Sequence, residues 1–170
     1  MPVTIRDVRS APDRAWIQSI YGEYLKDLTA VSMNTGMFPV SGEFGEREDD
    51  LLGRWFADDG SYPLLILHND KPVGFALVSR PPRNQRDQVD YRMAEFFVLQ
   101  SSRRRGLGRL AAQLIFRRFS GSWEISEFQS NAGAVAFWRA VVLEFTGGRY
   151  KEALGNGEVR QYFRSEQQRR

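Results

Sequence analysis

Met93-Ala-Glu-Phe-Phe-Val-Leu-Gln-Ser-Ser-Arg-Arg-Arg-Gly-Leu-Gly-Arg109 is the stretch of sequence that decides the fold. It begins with an almost continuous apolar run, residues 93–99, which is typical of a buried central strand. A polar loop follows at residues 100–105 and ends in three arginines. After this loop, apolar residues recur at helical spacing, at positions 107, 110, 111, 114, 115 and 119. The stretch therefore predicts a strand, a glycine-containing loop and a helix in direct succession.

A strand, loop and helix in this order form an anion site where the helix begins. The first backbone N–H groups of a helix have no partner within it, and they lie at the positive end of the helix dipole. Gly106 and Gly108 carry no side chain, so a phosphate can approach the backbone closely. Nearby guanidinium groups suit phosphate oxygens; they belong to Arg103, Arg104, Arg105 and Arg109. The sequence therefore predicts a pyrophosphate cradle at the start of this helix.

The motif Arg103-x-x-Gly106-x-Gly108, five residues after Val98, resembles the acyl-CoA-binding motif of the GNAT N-acetyltransferases. The resemblance implies that backbone amides of residues 104–109 hold the pyrophosphate of coenzyme A. It also implies that the end of the strand pairs its backbone with the pantetheine arm. The cofactor-binding residues implied in this stretch are Phe97, Val98, Arg103, Arg104, Arg105, Gly106, Leu107, Gly108 and Arg109.

A second motif, Asn131-x-x-Ala134-x-x-Phe137-Trp138, is similar to the Asn-x-x-Ala-x-x-Phe/Leu-Tyr of many GNAT enzymes. The resemblance implies that the side chain of Asn131 contacts the pantetheine region and that the small Ala134 lets the cofactor lie against the helix. A helix N-cap is an alternative role for Asn131, and the two roles are compatible. These residues complete the cofactor site that the resemblance implies.

Trp138 stands where the family often has the tyrosine that protonates the leaving thiolate. An indole cannot usefully donate a proton to that sulfur. We therefore expect Trp138 to pack against the cofactor or the core. Release of the thiolate then needs no protein acid, or it uses another phenol such as Tyr150.

The candidate catalytic base is Glu95, in the middle of the predicted central strand. An amine with a pKa of about 10.4 must lose a proton before it attacks a thioester, and burial can raise the pKa of a mid-strand carboxyl toward a useful value. In related enzymes a carboxylate on this strand often acts through water. A buried structural glutamate is the alternative role, and Glu124 and Glu127 are weaker candidates for the base. Because the chain has no cysteine, we expect direct transfer in a ternary complex.

The rest of the sequence predicts the element order β-α-α-β-β-β-α-β-α-β-β, which is that of a whole GNAT domain. The predicted strands are residues 3–8, 62–68, 72–79, 93–99, 121–128, 145–153 and 159–164, and the predicted helices are 10–28, 46–57, 106–119 and 131–142. The resemblance implies an α/β (α+β) fold with a mixed, mostly antiparallel sheet of six or seven strands and about four flanking helices. We assign residues 1–164 to a single acyl-CoA N-acyltransferase domain and residues 165–170 to a basic tail.

Composition narrows the class of protein. A chain of 170 residues with 42% apolar and 26% charged residues fits one soluble globular domain. No apolar run is long enough to span a bilayer and the first residues lack signal-peptide architecture, so we expect a cytoplasmic protein that does not bind a membrane. A net charge of +3 is small for a dedicated nucleic-acid binder. With no cysteine and His68 as the one histidine, disulfides and a His/Cys zinc site are excluded, and we expect no metal.

The function predicted from these features is transfer of an acetyl group from acetyl-CoA to a primary amine. The acceptor is unidentified, and the protein is expected to be a monomer or a homodimer. We expect residues 29–60 and 80–92 to build the acceptor site. Acidic side chains there could receive a cationic amine or simply form a solvated helix start; they are Glu43, Glu46, Glu48, Asp49 and Asp50.

Three alternatives remain open at this stage. Gly106-x-Gly108-x-x-Ala111 also matches a dinucleotide fingerprint, with Glu124 and Glu127 near its acidic position. Six polar residues between strand and glycine, and only about 60 residues after the motif, argue against it. A non-catalytic acyl-CoA sensor is compatible with the missing tyrosine. Nucleic-acid binding by the arginine run lacks the interleaved aromatic residues that such sites use.

Overall fold

A computed structural model of the chain describes residues 2–8, 10–33, 53, 56–57, 59–81 and 89–166. The predicted helix at 46–57 falls almost wholly outside these described residues. So do most of the acceptor segments predicted at 29–60 and 80–92, and the end of the predicted tail. The fold is therefore described from the strands and the helices that pack on them.

Seven strands form one sheet in the order β1-β2-β3-β4-β5-β7-β6. Every neighbouring pair is antiparallel except β4 and β5, which are parallel. The mostly antiparallel, seven-stranded sheet confirms the predicted fold class. The strands are β1 (Val3–Asp7), β2 (Ser61–His68), β3 (Lys71–Ser79), β4 (Tyr91–Val98), β5 (Gly121–Phe128), β6 (Tyr150–Gly155) and β7 (Glu158–Ser165).

Three α-helices lie in the described part of the chain, one fewer than the sequence suggested. They are α1 (Ala11–Met33), α2 (Leu107–Arg118) and α3 (Ala132–Thr146), and a short 3-10 helix covers Gln100–Ser102. Ser10 caps α1, because its Oγ accepts a hydrogen bond from the Asp13 N–H at 3.3 Å. None of the described helices combines the length and hydropathy needed to cross a membrane.

The helices cover the two faces of the sheet. On the first face, called here the α1 face, α1 packs its buried residues on a cluster from β2, β3 and β4; this cluster contains Ile17, Tyr21, Tyr24, Leu65, Phe75, Leu77 and Phe97. On the opposite face, called the α2/α3 face, the two later helices pack on the centre of the sheet; their cluster includes Ala112, Ile115, Phe116, Trp138, Val141, Met93, Trp123 and Phe163. The two faces thus give the protein two separate apolar layers.

Helix α3 is longer than the sequence predicted, and the strand expected from residue 145 was wrong at its start. The helix continues to Thr146 and ends where Gly147 adopts the left-handed conformation at φ 64°. Phe145 stays helical because its ring packs in the core, 5.2 Å from the ring of Phe116. Strand β6 therefore begins only at Tyr150.

One position predicted on the apolar face of a helix is exposed. Leu110 of α2 is 39% exposed. In α2 the buried side instead includes Ala112 and Phe116, which face the large aromatic cluster around Trp123. Apolar residues occur nearly all round α2, so periodicity alone did not identify which stripe faces the sheet.

We predict opposite effects of adding one methyl group at two glycines. A Cβ at Gly74 would lie 2.2 Å from the backbone oxygen of Phe97 in β4, so Gly74→Ala should force β3 and β4 apart and cost about 3 kcal/mol or more of unfolding free energy. Gly22 lies in α1 with open space around it, so Gly22→Ala should stabilise by up to about 1 kcal/mol. Urea unfolding measures both, and a Gly74→Ala variant as stable as the parent would contradict the close strand approach.

Candidate active site

The parallel strands β4 and β5 separate soon after they begin. Their pairing covers only Tyr91 with Trp123 and Arg92 with Glu124, although both strands continue for several residues. We call the gap between β4 residues 93–98 and β5 residues 125–128 the fork, and the Arg92–Glu124 pair its apex. Backbone groups of β4 that face the fork lack a neighbouring strand, so they are available to an extended ligand.

Helix α2 begins at the open end of the fork. Gly106 precedes it in the left-handed conformation, φ 73°, and supplies no side-chain cap. Arg104 also has a positive φ of 64°, which turns the loop sharply before the helix. The uncapped N–H groups of residues 107–109 therefore lie beside the end of β4, as the sequence predicted for an anion cradle.

The four arginines of the motif have different surroundings. The Arg103 Nε donates a hydrogen bond to the Val98 carbonyl at 2.8 Å, and its guanidinium lies 5.2 Å from the centre of the Phe97 ring. Arg103 thus fastens the loop to the end of β4. Arg104 and Arg105 are exposed, and their charges are accessible to an anion at the cradle.

Arg109 is bound to another helix. Its Nη1 donates to both carboxylate oxygens of Glu144 in α3, at 2.6 and 2.7 Å. This hydrogen bond holds the pKa of the exposed Glu144 carboxyl below its usual range. Arg109 therefore links α2 to α3 and would have to share its guanidinium with any phosphate.

Two residues of the motif contribute through their backbone and their small size. Leu107 is buried in the core, so only its N–H group faces the cradle. A Cβ at Gly108 would lie 3.4 Å from the Phe137 ring and 3.7 Å from the Phe96 ring. A single added carbon would therefore make ordinary van der Waals contact with these two rings, and Gly108 lies where α2 packs against α3 and β4.

The resemblance assigned the end of β4 to the pantetheine arm. The side chains at this strand end are buried, so only its backbone groups can contact a ligand. Phe97 is buried on the α1 face, where its ring lies 5.4 Å from Tyr24 and 5.8 Å from Phe75. Val98 is buried with Ala111 on the opposite side. Side chains at both positions belong to the core, so any contact with a ligand in the fork is made by their N–H and C=O groups.

The second motif lies at the start of α3. The Asn131 Oδ1 accepts a hydrogen bond from the Ala134 N–H at 3.1 Å, which is the predicted N-cap. Trp138 is buried, with its ring 5.0 Å from Phe96 and 4.9 Å from Phe137. Of the two expectations for Trp138, the structure shows the packing in the core.

A β-bulge directs Glu95 to the α1 face. Leu77 pairs with Glu95 and the next residue, Val78, pairs with Met93, so Ala94 is the extra residue. Met93 therefore belongs to the α2/α3 face, whereas Glu95 shares the α1 face with Phe97. Glu95 is half-buried, and its desolvation raises the pKa of the carboxyl from its ordinary 4.5 to about 8.

The two weaker base candidates lie on opposite faces. Glu124 is buried at the apex, where its Oε2 accepts a hydrogen bond from the Arg92 Nε at 2.8 Å. Glu127 is buried on the α2/α3 face and accepts from the Gln161 Nε2 at 2.6 Å, and its burial raises the pKa of the carboxyl to about 7. Both carboxyls have partners within the sheet, so neither is as open to an acceptor as Glu95.

Tyr150, the other phenol considered as an acid, is far from the open end of the fork. It pairs with Phe163 of β7, and Phe163 pairs with Trp123 at the closed end. Two strands therefore separate Tyr150 from β4. In the described part of the chain, no group of three or more His, Asp or Glu side chains could hold a metal ion.

Comparison with known proteins places this geometry in context. A model of the acetyltransferase (GNAT) family matches residues 12–141. The structure is similar to an acetyltransferase from Thermus thermophilus, with a TM-score of 0.69, 16% identity and coverage of 96% of this chain and 97% of that chain. It is also similar to PaiA N-acetyltransferase from Thermoplasma acidophilum in complex with coenzyme A, with a TM-score of 0.62, 12% identity and coverage of 96% and 99%.

A third similar structure is the ribosomal-protein-S18-alanine N-acetyltransferase from Escherichia coli, with a TM-score of 0.57, 14% identity and coverage of 96% of this chain and 94% of that chain. At these identities the likeness extends to the fold alone. No protein of curated function matches the sequence.

We predict that Glu95 makes the protein less stable as the pH rises. The folded state holds the Glu95 proton up to about pH 8, whereas the unfolded chain releases it near pH 4.5, so the folded state binds more protons between these values. Stability should fall over this window, with a contribution of up to about 1.4 kcal/mol per pH unit. Glu95→Gln should remove that part of the slope in urea unfolding between pH 5 and 8.

Glu144→Gln is the control for this measurement. The pKa of Glu144 is lowered by Arg109, so its titration lies below the window and the slope should not change. Equal slopes for the parent and Glu95→Gln would show that Glu95 is already ionised at neutral pH.

Proposed function

Since the chain belongs to the GNAT acetyltransferase family, we propose that it moves an acetyl group from acetyl-CoA to a primary amine by direct transfer in a ternary complex. The observation that carries this proposal is the fork, which opens beside the start of α2 and has Glu95 near its apex. A single acyltransferase domain of residues 1–164 is part of the proposal.

Coenzyme A would bind along the fork from its open end. The N–H groups of residues 104–109 would hold the pyrophosphate, with Arg104 and Arg105 adding charge. The pantetheine arm would extend along the backbone of β4 near Phe97 and Val98. The Thermoplasma neighbour, whose structure contains coenzyme A, shares the fold that this arrangement needs.

The acceptor would approach from the α1 face. Helix α2 and the cradle lie on the α2/α3 face, so a thioester that passes through the fork emerges on the opposite side. Glu95 projects on that side. With a pKa of about 8, its carboxylate form can take a proton from an ammonium, directly or through water.

The reaction also develops negative charge on the carbonyl oxygen and on the leaving sulfur. A backbone N–H near Phe97 or Val98 would stabilise the oxyanion that forms when the amine attacks the thioester. Neither Trp138, which packs in the core, nor the distant Tyr150 is placed to protonate the leaving thiolate. A thiolate is a weaker base than the attacking amine, so it can leave the tetrahedral intermediate without a protein acid.

Two alternatives are separated by specific observations. A dinucleotide-binding fold needs a largely parallel sheet, whereas β4 and β5 are the only parallel neighbours among the strands that the structure describes. A non-catalytic acyl-CoA sensor would share every feature of the cradle, and only turnover of an amine distinguishes it. The raised pKa of Glu95 favours the enzyme, because a sensor has no need for a proton acceptor at the apex.

We predict that the protein binds acetyl-CoA through Arg104 and Arg105 of the cradle. In calorimetric titration, Arg104→Gln/Arg105→Gln should weaken acetyl-CoA binding about tenfold or more, because each charge-assisted hydrogen bond contributes about 1.5 kcal/mol or more. Arg117→Gln removes an exposed charge at the other end of α2 and should leave affinity unchanged. A parent protein that binds NADH and not acetyl-CoA would refute the proposal.

We predict that turnover depends on Glu95 and rises with pH. If Glu95 is the base, kcat/KM for an accepted amine should increase about tenfold per pH unit below pH 8 and level off above it. Glu95→Gln should lower kcat by about 10²-fold or more and leave acetyl-CoA affinity unchanged. A profile that is identical in parent and Glu95→Gln would assign the proton transfer to another group.

A further inference from the structure

The apex of the fork carries an arginine that the transfer chemistry does not use. We propose that the acceptor is a small amine that also bears a carboxylate, and that Arg92 binds this carboxylate on the α1 face. The inference rests on the proposed function, because it names the acceptor of that reaction. It is argued from where Arg92 projects, from the part of its guanidinium that is open, and from the charges around it.

Arg92 and Glu95 share the side from which the acceptor approaches. In a regular strand, residues three apart project to opposite faces. The bulge at Ala94 changes this alternation, so Arg92 pairs with Ser79 and Glu95 with Leu77 on the same face of the sheet. Three residues of strand span about 10 Å at most, which is within reach of one amino-acid-sized molecule and a water.

The guanidinium of Arg92 is held with one edge open. Its Nε donates to Glu124 at 2.8 Å, and the Glu124 side chain is only 7% exposed. Within the residues that the structure describes, no hydrogen bond or ion pair involves the two terminal nitrogens, and the Arg92 side chain is 38% exposed. Two parallel N–H groups on this outer edge match the two oxygens of a carboxylate.

The buried carboxylate makes Arg92 a preorganised anchor. Glu124 fixes the direction of the guanidinium, so little side-chain entropy is lost when a ligand binds. The other oxygen of Glu124 lies 3.7 Å from the Nε of Arg160, so Glu124 is shared by two guanidinium groups. Its single charge therefore leaves Arg92 only partly neutralised.

The charges on this side of β4, β5 and β7 favour an anion. The arginines are Arg92, Arg160 and Arg164, and the carboxylates beside them among the described residues are Glu124, Glu158 and Asp90, which interacts electrostatically with Arg164. Glu158 forms a salt bridge with Arg160, in which Oε2 lies 2.6 Å from Nη2. Glu95 adds little negative charge at neutral pH, since its pKa is about 8. Glu158 and Asp90 are thus taken up by Arg160 and Arg164, and the exposed edge of Arg92 is a positive site at the apex that suits the carboxylate of an amino acid better than a second ammonium of a polyamine.

Binding of reaction products tests this inference without turnover. The protein is first titrated with coenzyme A, and the loaded protein is then titrated with N-acetyl amino acids and with the matching N-acetyl amines that lack the carboxylate. Leucine, phenylalanine and glutamine pairs cover three side-chain types. We expect the carboxylate member of at least one pair to bind tenfold or more tightly than its partner. Equal affinities within every pair would overturn the inference.

Variants of the apex residues test whether Arg92 causes the carboxylate preference. Arg92→Gln should reduce the carboxylate preference to less than threefold while coenzyme A binding is retained. Arg92→Gln/Glu124→Gln leaves no unpaired buried carboxylate, so it keeps the test valid if the single variant folds poorly. Arg117→Gln, on the opposite side of the molecule, should keep the full preference. A preference that survives both apex variants would overturn the role of Arg92.

The two proposals fail in different ways. Absence of coenzyme A binding in the first titration would refute the acyltransferase function, and the inference with it. Binding of coenzyme A without a carboxylate preference would refute the inference alone. In kinetics, the inference predicts that Arg92→Gln raises KM for a carboxylate-bearing amine about tenfold and changes kcat little, whereas Glu95→Gln acts on kcat.

Discussion

The pairing of β4 with β5 ends after Arg92 and Glu124, and the functional half of the molecule depends on this interruption. Two parallel strands need a crossover, and α2 with its preceding loop provides it. The crossover must leave from the end of β4 and return to the beginning of β5. The start of α2 is thereby placed at the open end of the fork, so the anion-binding N-terminus and the unpaired edge of β4 come together as one consequence of the topology.

The bulge at Ala94 is the second constraint, because it decides which side chains meet at the apex. If side chains alternated regularly from Met93 onward, Glu95 would project to the α2/α3 face together with Met93. With the bulge, Glu95 and Arg92 lie on the α1 face, and desolvation raises the pKa of the Glu95 carboxyl. A protonated, neutral carboxyl costs less free energy to bury than a carboxylate. The fold therefore tolerates the same burial that raises the pKa of Glu95.

Much of this arrangement could be predicted from local sequence. The apolar run at 93–99 and the glycine loop after it gave β4 and the start of α2. Asn69-Asp70 and Asn156-Gly157 are residue types typical of hairpin turns, and their positive φ values from 51° to 75° fit the two hairpins of the structure. These features depend on neighbours within a few positions, which is the range over which pattern and turn chemistry are informative.

Other features depend on residues distant in the chain, and the sequence could not show them. Arg109 was predicted to face a phosphate, but Glu144, thirty-five residues later, binds it. Gly108 was explained by ligand approach, whereas the Phe137 ring occupies the space beside it. The end of the β4–β5 pairing and the bulge at Ala94 are properties of strand register, and register follows from the packing of both faces rather than from any motif.

The central claim is that an acyl-CoA lies in the fork with its arm along β4, and amide hydrogen exchange on β4 tests it most directly. Those amides of residues 93–98 that face the fork should exchange more slowly when acetyl-CoA is added, together with the amides of residues 107–109. Amides of Leu65 and Ile66 in the middle of β2, which are paired on both sides, should not respond. Binding of acetyl-CoA that leaves β4 unchanged and protects another part of the chain would contradict the account.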